Sequence, residues 1–273
     1  MVKLLAALFS GLTFLSFFSA ARAEELPTPG SRQSFRDCPA CPEMVVIPAG
    51  SFIMGAPPKP DIDAIDVALP RHKVTFSKPF AVGKFAVKFE EWDACLADGG
   101  CGGYKPDAEG KGRENWPVVN VSWNDAKSYI SWLSNKTGKP YRLLSESEWE
   151  YAARAGSASK NFPEEFWEDQ AYDDPASGRR SPAQANAWGL RNVYGRPTQW
   201  VEDCRNDNYK GAPRNGAAWA TGDCTAHILR GGPEEEMILV AVRGSLPAET
   251  RGTLLGFRVA RSIAGKFLKH TGR

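Results

Sequence analysis

The chain has 273 residues, 42% of them hydrophobic, enough to bury a sizeable core in one large domain or two small ones. Its 34 basic and 32 acidic residues nearly cancel, which argues against a nucleic-acid partner held by charge. With 26 glycines, 20 prolines and 9 tryptophans, the composition fits a loop-rich fold with aromatic staples rather than a helical bundle.

Residues 1–23 read as a secretory signal peptide. Lys3 precedes an apolar run from Leu4 to Ala20, and Ala21-Arg22-Ala23 is an A-x-A cleavage site. The run is short for a membrane span, and no later segment is apolar enough to be one. The expected mature protein is therefore periplasmic or secreted, off the membrane, with balanced charge once Lys3 and Arg22 are removed. Residues 24–36 are polar, hold two prolines and read as a flexible lead-in; a domain over 37–264 and a basic tail over 265–273 follow.

Within the domain, Met44–Ile47 reads as a buried strand and Ser51–Gly55 as a second, paired as a hairpin across Pro48-Ala49-Gly50. Residues 56–70, with four prolines, form a loop. Strands are expected over His72–Phe76 and Phe80–Phe85, and a short helix over Phe89–Leu96. Ser122 with Asp125 forms a capping pair, and Ala126, Tyr129, Ile130 and Leu133 give one helical face that Gly138 ends. Ser145 with Glu148 caps a second helix that carries Trp149, Ala152 and Ala153 and closes at Gly156. Residues 157–185 read as an irregular, acidic loop. Gly and Pro exclude a long helix from 186 to 204, and 205–226 is loop again. Strands are expected at His227–Arg230, Ile238–Arg243 and Gly256–Ala260. Short strands, two central helices and long loops make the class α+β.

All six cysteines follow the signal, and an even number in an exported chain points to three disulfides among fifteen pairings. Proximity favours Cys38–Cys41, Cys95–Cys101 and Cys204–Cys224; Cys38-Pro-Ala-Cys41 could instead be a redox pair. The three histidines, His72, His227 and His270, do not form a spaced metal-ligand set, and no G-x-S-x-G nucleophile motif occurs.

The pieces MVVIPAGSFIMG (44–55), PVVNVSWNDAKSYISWLSNKTGKPYRLLSESEWEYAARAG (117–156), NAWGLRNVYG (186–195), LRGG (229–232) and GFRVAR (256–261) occur in the order seen in the formylglycine-generating enzyme, or sulfatase-modifying factor, family. The chain resembles that family over almost all of its mature length. The resemblance implies one compact, loop-rich α+β domain, distantly like a C-type lectin. The family's enzymes oxidise a sulfatase cysteine to formylglycine with oxygen and with copper held by two cysteines that follow a Gly-Gly-Ser motif. Here the corresponding stretch, Gly231 to Arg243, has no cysteine, and Pro233 stands in place of the serine. Where the family has Gly-Asn-x-Trp-Glu-Trp, this chain has Gly195-Arg196-Pro197-Thr198-Gln199-Trp200. Copper is therefore not expected. A family calcium site maps onto Asn192, Gly195, Pro197 and Gln199, and loss of the glutamate charge makes it weak.

The resemblance and its departures leave two expected functions. One is an exported maturation or accessory factor for a periplasmic protein or metabolite. The other is a non-catalytic peptide- or protein-binding module, a pseudoenzyme, monomeric in either case. The candidate site side chains are Glu234, Glu235, Glu236 and Arg243, with Arg230 and Gln199.

Overall fold

The computed structural model describes residues 25–56, 68–108, 110, 113, 115–156, 185–193, 195, 197–232, 243–263 and 266–267. The expected signal peptide, the acidic stretch inside 157–184, Glu234–Glu236 and most of the basic tail lie outside them.

Three helices carry the signatures expected of them. α1 (Phe89–Ala97) buries Phe89 and Trp92. In α2 (Trp123–Thr137), Ser122 accepts from Asp125 N while the Asp125 side chain accepts from Ser122 N, and Gly138 ends the helix in a left-handed conformation. α3 (Glu146–Arg154) begins with the same reciprocal cap between Ser145 and Glu148, but the left-handed residue at its end is Ala155, one before the expected Gly156.

The largest sheet has five strands: β2 (Ser34–Phe35), β3 (Met44–Ile47), β6 (Phe80–Gly83), β12 (Val259–Ser262) and β7 (Tyr141–Leu143), adjacent in that order and antiparallel throughout. A second sheet orders β10 (Arg243–Pro247), β9 (Asp223–Arg230), β8 (Thr198–Arg205) and β11 (Leu255–Phe257), with β11 parallel to β8. Two small pairs complete the strands, β4 (Gly50–Met54) with β5 (His72–Phe76), and β1 (Glu25–Leu26) with β13 (Lys266–Phe267).

Two buried clusters sit between these layers. One packs Trp92 of α1 and Tyr129 of α2 against Phe257, Val259 and Leu143, with the Trp92 and Tyr129 rings stacked at 5.7 Å. The other gathers Trp149 and Tyr151 of α3 with Phe76, Phe80, Val201 and Ile228. Among the described residues no helix is long and apolar enough to cross a membrane.

Several expectations are corrected. Met44–Ile47 and the following strand do not form a hairpin. β3 pairs with β6, and β4 pairs with β5, in a different sheet. β3 is buried at all four positions and belongs inside a sheet, whereas β4 alternates and forms a two-stranded ladder with β5. The lead-in is not free where it is described: Leu26 is buried, Ser34–Phe35 pairs with β3, and Gly30 N donates to Val46 O at 2.8 Å. The run 198–205 is a strand that no pattern in the sequence marks. Seven of its eight residues are at least partly covered, so it lacks the alternation that marks a half-exposed strand. The expected strand at 227–230 begins earlier, at Asp223, and that at 256–260 is two strands broken at Arg258. Of the strand expected at 238–243, only Arg243 is described, and there β10 begins.

Candidate functional site

α3 is buried on nearly every side, its acidic residues included. Glu146 and Glu150 lie four residues apart and so share one face, which looks onto the ends of β9 and β10. Glu148 points elsewhere and pairs with Arg142, at 2.7 Å for one of its two contacts. The two facing carboxylates meet two arginines that are direct partners across the β9–β10 ladder, Arg230 and Arg243.

Arg230 is completely buried. Its Nη1 donates to Glu146 Oε1 at 2.7 Å and to the Tyr209 hydroxyl at 3.0 Å, and its Nη2 donates to Glu150 Oε2 at 2.8 Å. Arg243 takes Glu146 in a fork, Nε to Oε1 at 2.9 Å and Nη2 to Oε2 at 2.8 Å, while Nη1 donates to Asn206 O. The Tyr209 hydroxyl donates to Glu146 Oε1 at 2.9 Å. Glu150 also accepts from Gly55 N at 3.1 Å and from Arg154. Two like charges paired across a ladder would repel; Glu146 between them makes the arrangement neutralising.

The electrostatics follow the geometry. Burial by itself would raise the Glu146 carboxyl, but Arg243 and Arg230 hold it below the usual carboxylate range. Arg230 is raised despite its burial, because Tyr209, Glu150 and Glu146 stabilise the charge. Asp203, beneath α3, accepts from Glu146 N at 2.7 Å and Trp219 N at 2.8 Å; burial and the nearby Glu146 charge push it up to about 7.

Beside this network lies the segment expected to hold calcium. Gln199 is fully buried. Its Oε1 accepts from Trp149 Nε1 at 3.1 Å and Arg258 Nε at 3.2 Å, and its Nε2 donates to Val193 O at 2.9 Å. Arg258 further donates to Gly83 O at 2.7 Å, Arg191 O at 2.9 Å and Asn192 O at 3.0 Å. Its partners are neutral oxygens, and desolvation lowers it to about 9. Asn192 has a positive φ, and its Oδ1 is buried without a hydrogen-bond partner among the described residues. The two regions touch at Gly231. A Cβ there would lie 3.2 Å from Val193 O and 3.3 Å from the Trp149 ring, and its φ of 72° is left-handed, so only glycine fits without strain.

Of the residues singled out in the sequence, Arg230 and Arg243 come together on Glu146, and Gln199 lies one side chain away, across Trp149. Among the described residues, Arg230 and Arg243 share Glu146, and Gln199 bonds Trp149, Arg258 and Val193. Glu146, Glu150, Tyr209 and Arg258 were not singled out. The signal available was the spacing of Glu146 and Glu150 on a helix whose neighbours, Trp149 and Ala153, are apolar, because acids on a buried face need cationic partners. The three disulfides pair as proximity favoured, Cys38–Cys41, Cys95–Cys101 and Cys204–Cys224, and no cysteine is free. A separate cleft of about 340 Å³ includes Phe76, Arg142, Glu148 and Glu202 in its lining. Of its ionic side chains, Arg142 pairs with Glu148 and Glu202 with Lys127, and Lys78 also lines it.

A family model described as the sulfatase-modifying factor enzyme 1-like domain matches residues 31–263. The formylglycine-generating enzyme of Streptomyces coelicolor is 32% identical over 174 residues, 55% of this chain and 54% of that protein. A Bos taurus protein described as inactive C-alpha-formylglycine-generating enzyme 2 is 35% identical over 91 residues, 29% of this chain and 28% of that one. The match thus spans about half the length of the first relative and less of the second. Among solved structures, PvdO from Pseudomonas aeruginosa superposes with a TM-score of 0.72 at 37% identity, covering 86% of this chain and 99% of that one.

Proposed function

Because this chain belongs to the sulfatase-modifying factor family, we propose that it is an exported accessory or maturation factor for a periplasmic protein or metabolite, working without copper–cysteine formylglycine chemistry. The observation that carries this reading is the state of its sulfur. Copper(I) in such a site needs soft thiolate ligands. All six cysteines are closed into disulfides, and the stretch from Gly231 to Arg243 contains none. A disulfide sulfur is not a thiolate, so the residues present do not fit the metal. The description of the Bos taurus relative as inactive supports the same reading, in which the scaffold outlasts the oxidation.

A second reading, a binding module with no catalysis, draws on a different observation. Among the described residues, Arg230 and Arg243 are taken up by Glu146 and Glu150 of α3, and Gln199 by Trp149, Arg258 and Val193, rather than converging on a common open point. Both readings assign partner choice to the segment between Gly232 and Arg243, whose sequence carries Glu234, Glu235 and Glu236. The protein immobilised in a periplasmic extract and cross-linked should hold a defined partner. A variant combining Glu234→Ala, Glu235→Ala and Glu236→Ala should release it. Mass spectrometry of the partner then separates the readings: a maturation factor leaves it chemically changed, a binding module does not. Equal retention by the triple variant would contradict the assignment of this segment.

A further inference from the structure

The family resemblance attaches a calcium ion to Asn192, Gly195, Pro197 and Gln199, and the orientation of Gln199 speaks against it. Trp149 Nε1 and Arg258 Nε are donors only, so the Gln199 atom that both approach, at 3.1 and 3.2 Å, has to be the amide oxygen. The amide nitrogen is thereby turned toward the loop, where it donates to Val193 O at 2.9 Å. A glutamate in this pose would offer the loop an anionic oxygen; the glutamine offers hydrogens. The adjacent full charge is also of the wrong sign. The Arg258 guanidinium binds Asn192 O at 3.0 Å and Arg191 O at 2.9 Å, taking up carbonyl oxygens of the same loop. Calcium takes six to eight oxygens and gains most of its affinity from carboxylates. Among the described residues no cluster of three His, Cys, Asp or Glu side chains exists to hold a metal. The Asn192 Oδ1 atom, buried and without a partner among the described residues, is a single neutral oxygen.

We propose that the Gln199 amide and the Arg258 guanidinium together do the structural work of a divalent cation in this loop, which makes the fold independent of calcium. The donors bridge Gly83 at the end of β6, the loop at 191–193, and β8 through Gln199 itself.

The test uses the whole mature protein. After treatment with a chelator, thermal unfolding is followed with millimolar calcium chloride and with chelator, and bound calcium is measured by elemental analysis. The wild type should melt at the same temperature in both and retain no stoichiometric calcium. Gln199→Glu restores the anionic oxygen and should gain calcium dependence, with a rise of about 5 °C when calcium is in large excess. Arg258→Lys, whose ammonium cannot span the same oxygens, should melt lower in both conditions without rescue. One equivalent of retained calcium, or a calcium-raised melting temperature in the wild type, would overturn the proposal. So would rescue of Arg258→Lys by calcium, or a folded Gln199→Glu variant indifferent to it. Should Gln199→Glu fail to fold, the wild type and Arg258→Lys still decide.

Discussion

Glu91 sits in the first turn of α1, where its Oε2 accepts from Lys88 N at 2.9 Å, and it is buried. Burial raises its carboxyl to about 7 from 4.5, although Lys88 and Arg36 pull the other way. The sign of the consequence is fixed by linkage. Between 4.5 and 7 the folded state binds more protons than the unfolded one, so this group costs stability as pH rises through that window, and the full cost is present above it. Glu91→Gln keeps an acceptor for Lys88 N and removes the ionisation. Urea denaturation should therefore show the variant gaining, relative to wild type, about 1–3 kcal/mol on going from about pH 5 to about pH 8. Parallel stability curves would mean that Glu91 is already ionised at the lower pH. Glu146 has the opposite sign, because its guanidinium partners lower it; its contribution is present above the unfolded value and is lost as pH falls.

At the scale of elements, Glu146 is the tie between α3 and the ends of β9 and β10. Glu146→Gln should cost about 3–5 kcal/mol in chemical denaturation, because it leaves buried guanidinium charge uncompensated. A loss below about 1 kcal/mol would show that Glu150 and Tyr209 alone carry the two arginines. The helices were legible in the sequence because their signals are local: Ser122 with Asp125 and Ser145 with Glu148 close reciprocal caps within one turn. Strand partners were less legible. β3 and β4 are neighbours in the chain yet pair with β6 and β5, since hydrogen-bonding partners are chosen by burial of both faces and not by proximity. The charge network was legible only in part. Arg230 and Arg243 stood out beside the family's glycine motif, but Glu146 lies 84 and 97 residues from them, and no local pattern announces that meeting.

The whole molecule keeps the family's architecture while its sulfur chemistry is closed. Two cores, one under α1 and α2 and one under α3, are joined by sheets whose strands come from both halves of the chain. The match to the family model from 31 to 263 spans both. Its departures from the family pattern are chemical: no cysteine from Gly231 to Arg243, all six thiols closed into disulfides, and a glutamine at 199 where the resemblance implies an anionic ligand. The most direct test incubates the copper-treated protein, under oxygen, with a peptide bearing a sulfatase cysteine motif and follows the peptide by mass spectrometry beside an active formylglycine-generating enzyme. The peptide should keep its cysteine with this protein and lose it with the control; conversion of the cysteine to formylglycine by this chain would contradict the account.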